Sequence, residues 1–166
     1  MTRKVFVIIA AVALASMALV IVLERSRPVH WNAADTQNIL HNKPYVMPKL
    51  SIAMRIVPTI KSRGVDAGIE EYERLKVTQP ETFDFSDESE LNSLGYQLLS
   101  EGQVQAAVQL FDLNTREFPA SSNAYDSLGE AYSKAGKKDR AIEAYTKAIE
   151  LDPNNLNSRK MLRRLE

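Results

Sequence analysis

The chain has 166 residues, with 21 basic and 21 acidic side chains and no cysteine. This length has room for one modest domain, and the balanced charge gives no overall bias toward nucleic acid. The lack of cysteine excludes disulfides, thiolate zinc sites and cysteine nucleophiles.

An apolar stretch at residues 5–23 follows a short basic tail, residues 1–4. As a helix it would be roughly 28 Å long, close to the roughly 30 Å hydrocarbon core of a bilayer. We therefore predict a single transmembrane helix. A cleaved signal peptide is the alternative, because Arg3 and Lys4 precede the apolar stretch and the small residues Ala13 and Ala15 have cleavage-site spacing.

The basic residues that flank this segment, Arg3 and Lys4 before it and Arg25 and Arg27 after it, are nearly balanced under the positive-inside rule. The orientation is therefore predicted from the signal-like character of the N-terminus. Basic residues before a signal-like stretch favour an N-terminus inside and the remaining chain on the extracytoplasmic side, periplasmic or at the outer face. Residues 24–48 contain three prolines and no persistent periodicity, which predicts a linker. His30 and His41 lie there without a carboxylate cluster, so we predict no metal site.

The helical pattern returns at residues 49–82, which we predict to be a degenerate helix pair with helices at residues 52–61 and 66–76. Pro58 removes a backbone donor from the first helix, so a kink or break is expected there. Residues 83–87 are predicted to be an exposed acidic connector. Asp87 and Glu90 have the spacing of a capping box at the start of the next helix.

The segments 88–121 and 122–155 share one pattern of large, small and helix-breaking residues. A glycine inside a helix costs roughly 1 kcal/mol relative to alanine, so we predict that Gly129 permits close contact with Ala141 and Tyr145. Gly136 is predicted to adopt the left-handed conformation that ends a helix. The packing positions of the second segment are Tyr125, Leu128, Gly129, Tyr132, Ala141, Tyr145, Ala148 and Pro153. The equivalent positions of the first are Leu91, Leu94, Gly95, Leu98, Ala107, Phe111, Asn114 and Pro119, with Asn114 in place of a small residue.

These residues resemble the tetratricopeptide repeat (TPR), a helix-turn-helix unit of about 34 residues. The resemblance implies an all-α fold, a short TPR-type α-solenoid of three helix pairs and a capping helix at residues 156–166. The single transmembrane helix predicted from the apolar stretch would precede this solenoid. It also implies a concave face that binds a peptide or protein partner. The partner-binding residues on that face would be Asn92, Tyr96, Leu99, Asn123, Asp126, Glu130 and Lys134.

A second resemblance covers residues 44–166. The stretches at residues 90–99 and 125–132 are similar to the C-terminal extension of exported bacterial serine hydrolases of the β-lactamase-related kind. The S-x-x-K and G-x-S-x-G motifs of such enzymes do not occur in this chain.

We therefore predict a membrane-anchored interaction module that is not an enzyme, with no cofactor, no metal and no nucleic-acid partner. The alternative is a detached or remnant hydrolase tail that stabilises or recruits a hydrolase encoded elsewhere. The sequence does not identify the partner or the oligomeric state.

Overall fold

The computed structural model describes residues 48–165. The predicted basic tail, the predicted span at residues 5–23 and the linker up to residue 47 lie outside the described residues. Between residues 48 and 165 no helix combines the length and the apolar character needed to cross a bilayer. The membrane anchor therefore stays a prediction.

Seven helices make up most of residues 48–165. Short connections join them into three consecutive pairs, and the seventh helix packs against the last pair. The helices are α1 (Ile52–Arg63), α2 (Val65–Thr78), α3 (Glu88–Ser100), α4 (Val104–Glu117), α5 (Ser122–Lys134), α6 (Lys138–Leu151) and α7 (Leu156–Leu165). The predicted all-α solenoid of three pairs and a terminal helix is confirmed for this part of the chain.

Gly129 lies directly beneath an aromatic ring of the neighbouring helix. A Cβ atom built on Gly129 of α5 would stand 2.7 Å from two ring carbons of Tyr145 in α6. Gly95 of α3 has the same relation to Phe111 of α4, at 2.6 Å. Both rings are fully buried. The predicted close contact between Gly129 and Tyr145 is confirmed, and the missing side chain is what makes room for the ring.

The turn between α5 and α6 contains Gly136 with a φ angle of 70°. This left-handed conformation is strained for residues with a Cβ atom. The prediction for Gly136 is therefore confirmed.

The packing positions taken from the repeat pattern are mostly buried. Tyr125 is half-buried, and Pro119 and Pro153 are exposed just beyond the ends of α4 and α6. The buried ones are Leu91, Leu94, Gly95, Leu98, Ala107, Phe111, Asn114, Leu128, Gly129, Tyr132, Ala141, Tyr145 and Ala148.

Pro58 lies inside α1, which continues without a break from Ile52 to Arg63. The expected break is therefore absent. Proline at this position leaves the carbonyl of Met54 without its helical donor. Pro58 is exposed and Met54 is 80% exposed, so this carbonyl lies on the solvent-facing side, where water can hydrogen-bond to it.

Two short strands, which the sequence pattern did not predict, link the start of the first pair to the connector after it. Strand β1 (Leu50–Ser51) pairs in parallel with β2 (Phe83–Asp84). The connector at residues 83–87 was expected to be exposed, yet Phe83 is buried in the core. The correction has a simple cause: Phe83 is apolar and backbone pairing with β1 places it against the first pair.

The acidic residues after β2 act as helix caps. The Asp87 carboxylate accepts a hydrogen bond from the Ser89 N–H at 2.9 Å, at the N-terminus of α3. Glu90 does not reach back to Asp87 as a capping box would require. Its Oε2 atom instead accepts hydrogen bonds from the Ala53 N–H at 2.8 Å and the Ser51 hydroxyl at 3.0 Å. Glu90 therefore caps the distant helix α1.

Asn114 is fully buried in α4, and neither polar atom of its side chain has a hydrogen-bond partner among the described residues. An unsatisfied buried polar group costs about 1–3 kcal/mol. Leucine has nearly the same shape and no polar atoms. We expect Asn114→Leu to stabilise the fold by about 1–2 kcal/mol, measured as a higher urea midpoint. Asn114→Asp, which keeps the shape and adds charge, should lower that midpoint; a lower midpoint for Asn114→Leu would contradict the prediction.

Candidate functional site

Tyr96 of α3 and Glu130 of α5 lie side by side on the surface that the first helices of the pairs form. The Tyr96 hydroxyl donates a hydrogen bond to Glu130 Oε2 at 3.2 Å and lies 3.2 Å from the Ser127 hydroxyl. The Tyr96 ring contacts the Phe111 ring edge-on, with centroids 5.2 Å apart. Partial burial raises the pKa of the Tyr96 phenol, so the group stays protonated and serves as a donor at neutral pH.

An open cavity of about 390 Å³ continues this surface toward α7. We call it the α5–α7 cavity. Glu130 and Lys134 stand on its wall, with the ammonium 3.6 Å from the carboxylate, and this ion pair is largely exposed. The cavity is lined by Glu130, Ser133, Lys134, Tyr145, Asn157 and Met161.

Two hydroxyl groups in the wall of the α5–α7 cavity are unsatisfied. The oxygens of Ser133 and Tyr145 are buried and have no hydrogen-bond partner among residues 48–165. Buried polar atoms usually have partners. Both oxygens are closed off from the cavity by neighbouring atoms, and the Ser133 hydroxyl is close enough to Tyr145 to lower the pKa of its phenol against the larger effect of burial.

Burial raises the pKa of the Tyr145 phenol to about 12, against about 10 for an exposed tyrosine. The unfolded chain therefore loses this proton first, so the contribution of Tyr145 to stability is complete below about pH 10 and is lost as the pH rises through about 12. We expect the urea midpoint to fall over this range, by an amount equivalent to roughly 2–3 kcal/mol. Tyr145→Phe should make the fall shallower. Equal slopes for the two proteins would contradict this expectation.

Asp126, predicted to bind a partner, is buried beneath α7. Its Oδ2 atom accepts a hydrogen bond from Asn157 Nδ2 at 2.8 Å, and its Oδ1 atom accepts one from the Ser158 hydroxyl. Both carboxylate oxygens are thus used within the fold. Asp126 holds the terminal helix in place and does not lie on the open surface.

The other predicted partner-binding residues are spread along the same side of α3 and α5. Asn123 is exposed and donates a hydrogen bond to Glu88 Oε1 at 2.8 Å. Leu99 is half-buried and packs against the core. Asn92 is half-buried, with a side-chain oxygen that has no partner among the described residues. The structure thus brings Tyr96, Glu130 and Lys134 together, while their role in binding stays a prediction.

Sequence reasoning did not place Tyr145, Asn157 or Met161 at this site. Tyr145 was assigned to helix packing alone, although it also lines the cavity. Asn157 lies one repeat length after Asn123, which was a predicted surface residue. Extending the 34-residue spacing into α7 would have found it.

Among the described residues, no three His, Asp or Glu side chains come together as a metal site. The groups at the α5–α7 cavity are hydroxyls, an amide, a thioether and one ion pair. This set suits recognition of another molecule by hydrogen bonding and packing.

A comparison with protein families supports the sequence pattern. Residues 123–155 match the family model for the tetratricopeptide repeat. This range contains nearly all of α5 and α6, including the Gly129 and Tyr145 contact. The match covers about a fifth of the chain, and over these residues the chain is similar to one tetratricopeptide repeat. The matched residues supply most of the α5–α7 cavity, with α7 closing one side of it.

The human Superkiller complex protein 3 is 38% identical over 64 residues, which are 39% of this chain and 4% of that protein. The chain thus spans a small fraction of the length of this curated relative. The resemblance of residues 44–166 to hydrolase tails is not shown by these comparisons and stays a prediction.

Several solved structures contain a similar arrangement of helices. MamA is 17% identical, with a TM-score of 0.49 over 82% of this chain and 84% of that chain. The TPR domain of Sgt2 from Aspergillus fumigatus is 20% identical, with a TM-score of 0.48 over 74% of this chain and 82% of that chain. The first TPR of Spaghetti, bound to an HSP90 peptide, is 18% identical, with a TM-score of 0.47 over 69% of this chain and 86% of that chain.

Proposed function

We propose that residues 48–165 bind a peptide segment of a protein partner along the surface of α3 and α5 and in the α5–α7 cavity, without catalysing a reaction. The observation that carries the proposal is this cavity, which adjoins the Tyr96 and Glu130 surface and is lined by the Glu130 and Lys134 ion pair, the Asn157 amide and the Met161 thioether. Its volume of about 390 Å³ falls at the lower end of ligand-binding pockets.

The chemistry of this surface fits a peptide. Tyr96 is 36% exposed and offers an aromatic face, and Met161 offers an adaptable apolar contact in the cavity. Glu130 and Lys134 provide an acceptor and a donor beside them. Alternating apolar and polar contacts along a shallow surface are what an extended or helical peptide requires.

The predicted span at residues 5–23 adds a cellular context to this proposal. If it anchors the chain, the binding surface is held beside a membrane and meets partners there. In this proposal the helical domain, residues 48–165, lies on the extracytoplasmic side of the membrane.

Site-specific photo-crosslinking of the full chain in cells tests this function. A photoreactive amino acid is placed at Lys134, on the α5–α7 cavity, or at Lys147, an exposed position of α6 in a separate depression with Tyr125 and Tyr132. We expect a discrete crosslinked partner from position 134 and none of that size from position 147. The band should weaken when Met161→Ala, which removes the apolar contact in the cavity wall, is added to the position-134 protein.

Two outcomes would count against the proposal. Identical products from positions 134 and 147 would show contact unrelated to the cavity. If neither position 134 nor a second position in the site, Tyr96, yields a crosslinked product, this surface is not used for binding.

A further inference from the structure

Four cationic side chains occur in α7, which has no acidic residue within Leu156–Leu165. All four are exposed, and none forms an ion pair with another residue in the described range 48–165. The four are Arg159, Lys160, Arg163 and Arg164. This helix is therefore a basic element, without ion pairs among residues 48–165, at the edge of the proposed binding surface.

Helical geometry divides the four cations into two pairs. Asn157 and Met161 line the α5–α7 cavity. At about 100° per residue, Arg164 lies within about 60° of both Asn157 and Met161 around α7, and Lys160 lies about 60° from Asn157 and about 100° from Met161. Arg159 and Arg163 fall on the opposite side.

Contacts place Arg164 beside the cavity. Its Nη1 atom lies 3.8 Å from the sulfur of Met161, which belongs to the cavity wall. Together with Lys134, the cavity side of α7 brings three cations to this end of the surface, against the half-exposed carboxylate of Glu130 and the buried carboxylate of Asp126. The Glu130 and Lys134 ion pair is exposed and weak, so it leaves Lys134 able to pair with a ligand.

We infer that the α5–α7 cavity selects an acidic segment of the partner protein, with Asp or Glu side chains placed among Lys134, Lys160 and Arg164. This inference rests on the proposed function and names the chemistry of its partner. The cavity is recessed and has the donors Lys134 and Asn157 in its wall, which suits an acidic side chain of a peptide. A flat anionic membrane would instead contact both pairs of α7 cations alike.

The test uses the full chain in a neutral detergent and a fluorescein-labelled decapeptide of alternating Glu and Ala, with a Gln and Ala decapeptide as the neutral probe. Binding is followed by fluorescence anisotropy. We compare Lys160→Ala/Arg164→Ala with Arg159→Ala/Arg163→Ala, which removes the same charge from the other side of the same helix. All four residues are exposed, so unchanged urea midpoints will verify that both variants fold.

We expect the Glu peptide to bind at least about tenfold more tightly than the Gln peptide, equivalent to about 1.4 kcal/mol. The cavity-side variant should lose about tenfold in affinity for the Glu peptide, and the outer-side variant less than about threefold, since rim charges contribute mainly by weak, screened attraction.

Equal binding of the two peptides, or equal losses in the two variants, would overturn the inference. So would tighter binding to vesicles containing phosphatidylglycerol than to the Glu peptide with the same dependence on Lys160 and Arg164, since that result assigns the cations to lipid. If the peptide-binding measurements contradict the inference but crosslinking at position 134 yields a partner, the proposed function is retained and only the acidic character of the partner is rejected. If both fail, both are rejected.

Discussion

Gly129→Val is expected to destabilise the fold by more than about 3 kcal/mol. A single added Cβ atom would stand 2.7 Å from ring carbons of Tyr145, and valine adds two methyl groups to that clash. The ring is fully buried and has little room to move. Forcing extra methyl groups into a packed core costs about 1–3 kcal/mol or more, and valine is also stiff in a helix.

The measurement is the urea unfolding midpoint of the full chain in neutral detergent, with helicity followed by circular dichroism. Gly129→Ala provides a graded control. Helix propensity alone would make this variant about 1 kcal/mol more stable, whereas the clash with Tyr145 should make it less stable than the parent. A higher midpoint for Gly129→Ala would show that the glycine is not needed for ring packing. Combining Gly129→Ala with Tyr145→Leu should recover part of the loss.

Asp126→Ala is expected to release α7 and to cost about 2–4 kcal/mol. The buried carboxylate accepts hydrogen bonds from Asn157 and Ser158, and hydrogen bonds to charged groups are worth about 1.5–3 kcal/mol each. Ser158 is itself fully buried, so its hydroxyl would be left without an acceptor.

Hydrogen exchange resolved by residue would measure this effect. Amides of α7 should exchange faster in Asp126→Ala, while those of α3 and α4 should change little, because release of a terminal helix is a local opening. Asp126→Asn keeps one acceptor oxygen and should fall between the two proteins. Unchanged protection of α7 in Asp126→Ala would contradict the assigned role.

The features predicted from the sequence are those encoded in local spacing. Large residues at helical intervals, with Gly129 opposite Tyr145, predict both the helices and the contact between them, because residues three and four apart share a helix face. The positive φ of Gly136 follows in the same way from a glycine between two helical patterns. The candidate site was predicted in part, since the exposed positions of α3 and α5 follow from the same periodicity.

Features that depend on distant parts of the chain were missed. The pairing of β1 with β2 involves backbone groups of two residues in each strand, which leave no side-chain pattern. Glu90 fits a local capping box by spacing, yet its carboxylate reaches Ser51 and Ala53. Asp126 occupies a surface position by periodicity and becomes buried only because α7 folds over it.

The strand pair between residues 50–51 and 83–84 bears on how the domain responds to mechanical load. A pulling force applied at residue 48 acts first on the hydrogen bonds between β1 and β2 and on those of Glu90, and only then on helix α1. The ladder closes a loop that contains the entire first helix pair. A pull from that direction passes through the ladder into the connector before α3, so the first helix pair inside the loop is relieved of load while the ladder holds.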